Sequence, residues 1–306
     1  MLALETYGLS KRYKDRFAVK DVSMHVEQGD IYGFVGENGA GKTTVIRLVT
    51  GLASPTKGGY AIYGAKNKTR EIREAKKRTG AIVEEASLNR ALTALENLRV
   101  QCYVTGAQKT DAELIALIKR VGLDYDAIKD RKVKNFSLGM RQRLGIAVVL
   151  VSEADFIILD EPMNGLDPQG FVEVRETIMK LRDEGVTFLI SSHILSELEK
   201  VCTKVGIISH GKLVEEISME DLRNRSRRRV LLTAENPAEL KEKLVDLLGL
   251  QDVAEEGNTL AVYDPVDIND FMKALVDNAI RIDSISVHEE TIEDHYIKLI
   301  RKGAES

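Results

Sequence analysis

The chain has 306 residues, 30% of them charged and 43% hydrophobic, a composition of folded soluble domains and not of disordered chains. That length suggests about two domains, each large enough to bury a core without disulfide staples. The 44 basic and 48 acidic residues leave a net charge of -4, which argues against a dedicated, strongly basic nucleic-acid binder, and two cysteines far apart, Cys102 and Cys202, exclude a disulfide framework or a Cys-based zinc site and fit a reducing compartment.

The first residues lack the basic start and apolar run of a signal peptide. Ile31–Val35 is a short apolar strand, followed by a glycine-rich turn and a helical run over Thr44–Val49. The basic residues of Lys66–Arg78 spread around exposed helix faces at helical spacing. Residues 85–150 read as a helical insertion; within it Ala112, Leu114, Ile115, Leu117, Ile118 and Val121 recur at helical period. The longest apolar stretch, Ile146–Val151, is far short of the roughly 20 residues a membrane span needs. Phe156–Leu159 and Val186–Ile190 are further buried strands. Apolar strands alternating with helices predict an α/β fold with a mainly parallel sheet.

From about Glu215 the texture changes. Strands are expected over Arg228–Ala234, Gln251–Glu255, Thr259–Tyr263 and Arg281–Val287, with helices over Pro237–Leu248, Val266–Asn278 and onward from Thr291. The order βαββαβ plus a helix matches the ferredoxin-like split βαβ unit. The expected division is therefore residues 1–215, with the helical part at about 85–150, and a smaller α+β domain over 216–306. Arg223, Arg225, Arg227, Arg228 and Arg229 at the junction read as a solvated linker. Cys102 and Cys202 read as small core residues, Gly64 and Gly106 as turn residues. His25, His210, His288 and His295 have no ligand-like spacing.

The segment Gly36, Glu37, Asn38, Gly39, Ala40, Gly41, Lys42, Thr43 fits the phosphate-loop pattern in full. Glycines let backbone N–H groups turn toward phosphates, and the helix N-terminus adds a favourable field. Lys42 is the candidate partner of the β- and γ-phosphates and Thr43 of Mg²⁺. Phe156–Leu159 ends in Asp160 and Glu161, at the carboxyl edge where such sheets place their sites. Asp160 is expected to hold Mg²⁺ through water, and Glu161 to polarise an attacking water. The pair predicts hydrolysis of a nucleotide, not binding alone.

A phosphate loop does not separate kinases, GTPases and transport ATPases. The segment from Asn135 to Arg143, with Ser137, Leu138, Gly139, Met140 and Gln142, does: it resembles the signature motif of ATP-binding cassette (ABC) proteins. Gly165, Leu166, Asp167 and Pro168 resemble the D-loop, His193 the switch histidine, and Tyr13 the aromatic A-loop residue that stacks on adenine. These motifs stand in the family's order across residues 1–215. The resemblance implies an ABC-type phosphate-loop ATPase fold: a mainly parallel core, an antiparallel β part and a helical insertion.

It also implies ATP and Mg²⁺ as cofactors. The nucleotide is expected on Tyr13, on Gly36 through Thr44, and on Asp167. Ser137 and Gly139 of a second copy would close the site, so a homodimer is implied. Lys42, Glu161 and His193 are the catalytic candidates; Thr43, Asp160 and Glu84 are the candidates for the metal. Glu84 stands where the family usually has Gln, which adds charge beside the phosphates. That Glu, the Met140 variant and the Ser191–Leu195 segment resemble exporters of the bacitracin and lantibiotic type. The expectation is the ATPase subunit of an exporter of a peptide antibiotic, drug or similar compound. It would lie at the cytoplasmic face of the cell membrane, bound to a separate transmembrane permease docked near Glu84–Val100. The alternative is a soluble ABC ATPase acting on ribosomes or nucleic acid. Lys42 and Ser137 are 95 positions apart (137 − 42), too close for the chromosome-type arrangement, and the chain carries one cassette where translation-type members usually have two. A small-molecule kinase has no use for the 137–143 motif. The C-terminal domain carries no motif tied to chemistry and is expected to be a stabilising extension or dimer contact, with regulation or permease binding as the alternative.

Overall fold

A computed structural model describes all residues except 226–228, 265, 289–290 and 305–306. The chain divides into two compact units, one over Met1–Met219 and one over Glu220–Arg301. Arg227 and Arg228 of the arginine cluster lie outside the described residues, as does the first residue of the strand expected over Arg228–Ala234.

The first unit opens with β1 (Leu2–Tyr13), β2 (Arg16–Val22), β3 (His25–Glu27) and β4 (Ile31–Val35), then α1 (Lys42–Thr50), β5 (Lys57–Ile62), β6 (Ala65–Lys66), α2 (Ile72–Lys77) and β7 (Thr79–Ile82). The helical stretch follows: α3 (Ala94–Thr105), α4 (Asp111–Arg120), α5 (Tyr125–Ile128) and α6 (Leu138–Leu150). Then come β8 (Phe156–Asp160), α7 (Pro168–Asp183), β9 (Thr187–Ser192), α8 (Leu195–Leu198), β10 (Lys204–Ser209) and β11 (Lys212–Ser218); α9 (Met219–Arg225) begins at the last residue of this unit and belongs otherwise to the second. Strands β1, β2, β3, β5 and β6 form one antiparallel sheet. A second sheet runs β11-β10-β4-β9-β8-β7, parallel throughout except for the β10–β11 hairpin. Helix α1 packs into the core shared by the two sheets: Val45, Ile46, Leu48 and Val49 meet Leu4, Val22 and Val26 of the antiparallel sheet and Phe34, Phe156 and Leu189 of the parallel one. All five residues of β4 and all five of β8 are buried, which is why these strands read as unbroken apolar runs.

Local chemistry sets the helix starts. Thr93 and Thr110 each form a capping box, with Glu96 and Glu113 reaching back to the N-cap backbone. Asp167 caps α7, and Pro168 opens it. Gly106 ends α3 in the left-handed conformation (φ 73°). Details within this unit differ from the sequence reading: of Lys66–Arg78 only Ile72–Lys77 is α-helical, and Lys66 ends β6. Val186 precedes the third strand, which runs on to Ser192, because its polar end is held by pairing to β4 and β8. Cys202 is buried, but Cys102 on α3 is only partly covered.

The second unit comprises β12 (Arg229–Thr233), α10 (Pro237–Leu248), β13 (Val253–Glu256), β14 (Thr259–Val262), α11 (Ile268–Asp277), β15 (Ser284–His288) and α12 (Ile292–Ala304). Its sheet is antiparallel in the order β13-β14-β12-β15, the arrangement of the ferredoxin-like βαββαβ unit. Leu232, Leu240, Leu244, Leu260, Val262, Phe271 and Leu275 form its own core.

Candidate functional site

Three neighbouring parallel strands end together. Val35 pairs with Ser192, and Ser191 pairs with Asp160. The residues that follow β4, β8 and β9 are Gly36, Glu161 and His193, so register alone brings the phosphate loop, the second acid and the histidine to one edge. Charge collects at the carboxyl ends of these buried strands, where Asp160 is the last residue of β8 and Glu161 the next.

The loop from Gly36 to Gly41 wraps back onto the body of the unit. A Cβ at Gly36 would overlap the Ile208 carbonyl oxygen, and Gly41 (φ 113°) would place one 2.9 Å from the Ala18 carbonyl oxygen, so neither position accepts a side chain. Gly41 is also the N-cap of α1 and makes no side-chain cap, which leaves the first-turn N–H groups to point toward the loop. Lys42, 5% exposed, donates to the carbonyl oxygens of Gly36 (2.6 Å) and Glu37 (3.2 Å). Its ammonium also lies 3.2 Å from Glu161 Oε1. Glu161 Oε2 is 2.8 Å from His193 Nδ1. The Glu161 carboxylate is thus held between a lysine and the histidine. Its backbone is left-handed (φ 50°), a conformation a glutamate keeps only when its surroundings enforce it.

Asp160 is nearly sealed from solvent at 3% exposure, and its Oδ1 accepts from the Ser191 hydroxyl at 2.6 Å. The same Ser191 oxygen accepts from the Glu161 N–H at 2.9 Å. Thr43 stands half-buried in the first turn of α1. Glu84 is turned elsewhere: its exposed carboxylate pairs with Arg47 in the last turn of α1. Among the described residues no group of three or more His, Cys, Asp or Glu could hold a metal ion. One or two oxygen donors beside a phosphate site suit Mg²⁺, which takes few protein ligands and relies on substrate oxygens.

Tyr13 is exposed and lines a cavity of about 580 Å³. Glu37, Asn38, Gly39 and Ala40 of the loop form one wall, and Arg16, Phe17 and His210 also border it. A flat aromatic face and the phosphate loop therefore share one space, as a base joined to a phosphate chain requires. Ser137 caps α6, accepting from the Met140 N–H at 3.1 Å, and is itself exposed. Gly139 is buried where α6 meets α7: a Cβ there would stand 3.3 Å from Gly170 Cα. Asp167 accepts from the Gly170 N–H at 3.0 Å. Ser137 and Asp167 thus sit at the starts of two touching helices, on exposed surface.

A family model described as ABC transporter matches residues 19–164. The bacitracin transport ATP-binding protein BcrA of Bacillus licheniformis is 40% identical over 305 residues, 98% of either chain. The chain belongs to the ABC transporter ATP-binding proteins. The lantibiotic transport ATP-binding protein SrtF of Streptococcus pyogenes is 41% identical over 213 residues, 70% of this chain and 90% of that one. A solved ATP-binding subunit of an ABC transporter superposes with a TM-score of 0.62 at 28% identity, over 74% of this chain and 93% of that one. A dimeric cassette solved in a post-hydrolysis state with ADP and phosphate shares the fold at 22% identity and a TM-score of 0.62, over 71% and 98%.

This ABC protein is an ATP-binding, ATP-hydrolysing transporter subunit. Its sequence reading passed over four residues that the cassette brings to the site. Arg16, Phe17 and His210 border the Tyr13 cavity from strand ends and a hairpin turn, and only pairing places them there. Ser191 is the fourth: a polar residue at the end of an apolar strand, two before His193, was the available signal.

Proposed function

We propose that a pair of these chains drives the export of a peptide antibiotic or similar compound through a separate permease at the cytoplasmic membrane face. The observation that carries the hydrolytic part is the Glu161 carboxylate held between Lys42 and His193 at the end of β8. Similarity to the bacitracin protein along 98% of the chain supports the class of cargo, and no helix among the described residues is long and apolar enough to cross a membrane.

In this reading residues 1–215 carry the chemistry and 216–306 the accessory domain. Tyr13 stacks on adenine, and Gly36 through Thr44 cradle the phosphates with backbone N–H groups. The Lys42 ammonium exchanges its carbonyl acceptors for phosphate oxygens. Thr43 and Asp160 would hold Mg²⁺, with Glu84, paired here with Arg47, as the third candidate. When bound, Mg²⁺ neutralises charge on the phosphate oxygens. Glu161, released by Lys42, accepts a hydrogen bond from the attacking water and orients it. His193 holds the Glu161 carboxylate through Nδ1 and faces the γ-phosphate. Ser137 and Gly139 of the second chain close the site with a hydroxyl and a helix-start N–H, and Asp167 lies at the same junction. The permease docks on the helical insertion near Glu84–Val100.

Glu161→Gln in the purified chain is expected to retain ATP binding and to lose hydrolysis by at least about 100-fold, the lower range for a lost general base. Hydrolysis at the wild-type rate sinks the assignment. Lys42→Ala is expected to lose tight ATP binding in the same titration. Affinity capture from detergent-solubilised cells is expected to recover a polytopic membrane protein; ribosomal proteins without one would favour the soluble-ATPase alternative.

A further inference from the structure

We propose that Ser191 is a positioning residue of the hydrolytic site: its one hydroxyl ties the two acids together and fixes the backbone that aims Glu161. The inference rests on the assignment of Glu161 as the residue that orients water.

The direction of each bond is determined by chemistry. An ionised carboxylate only accepts and a peptide N–H only donates. The Ser191 hydroxyl therefore gives its hydrogen to Asp160 Oδ1 at 2.6 Å and takes the Glu161 N–H at 2.9 Å. Ser191 is fully buried and Asp160 nearly so, so no bulk water competes for either bond. The peptide it grips is the one entering Glu161, whose φ of 50° sets the direction in which the carboxylate leaves the chain. That carboxylate then meets Lys42 at 3.2 Å and His193 at 2.8 Å. Two strands are locked together in this way, since Ser191 is the last residue but one of β9, pairs with Asp160 at the end of β8 and stands two residues before His193.

Removing the hydroxyl leaves the Glu161 N–H only its 3.2 Å bond to the Ser191 carbonyl oxygen and strips Asp160 of its buried donor. Nucleotide binding should survive, because Ser191 touches neither the phosphate loop nor the Tyr13 cavity in any hydrogen bond of the structure. The loss should fall on kcat, since a misplacement near 1 Å costs about 100-fold in rate.

The test uses the full chain with Ser191→Ala, Ser191→Cys and Ser191→Thr, reading steady-state kcat and KM, affinity for a fluorescent ATP analogue and thermal unfolding. Ser191→Ala is expected to lower kcat by about 10- to 100-fold with analogue affinity unchanged, and Ser191→Thr, which restores a hydroxyl, to recover most of the rate. Wild-type kcat in Ser191→Ala overturns the proposal, as does a loss of rate that Ser191→Thr fails to repair at wild-type thermal stability. If the Ala protein does not fold, the other two decide: a fast Thr and a slow Cys protein support the role, and equal rates overturn it. Glu161→Gln runs alongside. Should it hydrolyse at the wild-type rate, the assignment of Glu161 fails; a slow Glu161→Gln with a fast Ser191→Ala removes the role of Ser191 alone.

Discussion

Gly80 in β7 makes a sharp test of how the signature helix seats on the sheet. A Cβ built there would overlap Val149 Cγ1 outright and stand 3.2 Å from Val149 Cβ and 3.4 Å from Ala154 Cβ. Two effects oppose each other in Gly80→Ala. The lower entropy of the unfolded chain favours alanine by about 0.5–1 kcal/mol, and overpacking costs about 1–3 kcal/mol. Val149 is half-buried, so it can yield in part; the expected net is a loss of about 1–2 kcal/mol. Val149→Ala removes two methyl groups from a half-buried position and should cost about 1 kcal/mol. In the double variant the overlapping methyl is gone, so the alanine at 80 becomes neutral or favourable. The double variant should be no less stable than Val149→Ala alone, a coupling of about 1–2 kcal/mol. Urea unfolding of the full chain measures this, with the cassette transition recognised by its shift on adding ATP. Gly80→Ala at or above wild-type stability, or single effects that add to within about 0.5 kcal/mol, would refute the packing argument.

Three further predictions concern charge and buried polar groups. Glu96 and Glu113 lie below their ordinary carboxylate range because each accepts from the backbone N–H of its own N-cap, Thr93 and Thr110, and then from that threonine's side chain. Their folded form thus favours the ionised state, so the stabilisation is complete above the ordinary value of 4.5 and lost as pH falls through the depressed one. Amide protection factors in α3 and α4, corrected for the intrinsic pH dependence of exchange, should fall over that acid range, and Glu96→Gln with Glu113→Gln should flatten the dependence; an unchanged slope would count against it. Tyr32, fully buried, donates from its hydroxyl to Glu216 Oε1 at 2.8 Å. Tyr32→Phe should lower stability by about 1.5–3 kcal/mol, the range for a bond to a charged partner, as read by urea unfolding. Burial first and Glu216 second hold the Tyr32 phenol well above its ordinary value, so it should stay un-ionised in an alkaline absorbance titration until the cassette unfolds.

Much of the architecture was legible because the cassette's central strands are buried on both faces. Ile31–Val35 was read with the bounds the structure gives it, and Phe156–Leu159 falls one residue short. The antiparallel strands β1, β2, β3 and β5 were not placed. Their burial follows no clean period: Ala3 and Leu4, and Leu9 and Ser10, are buried as adjacent pairs, and β5 passes from two exposed residues to four buried ones, so neither alternation nor a wholly apolar run marks them. In the second unit Pro237 and Gly249 bracket α10, so its bounds matched; that helix has asparagine, proline and glycine where a helix begins and ends. The end of β9 was missed because Ser191 and Ser192 look like loop residues until pairing with β8 and β4 holds them.

The same blindness explains which site residues a sequence reveals. Lys42, Asp160, Glu161 and His193 lie in segments whose spacing is fixed by a phosphate loop or by one strand end, so linear patterns carry them. Arg47 and Ser191 act across strands. Arg47 leaves α1 to pair with Glu84, which sits past the end of β7 with φ 68°. A one-residue slip of β9 against β8 would keep every motif in the chain intact and still turn the Ser191 hydroxyl away from Asp160, because neighbouring side chains on a strand face opposite ways. The burial of β8 and β9 resists that slip: Phe156, Ile158 and Leu189 already fill the core against α1. The apolar residues that set the register are thus the ones that hold the two acids, the serine and the histidine in one constellation.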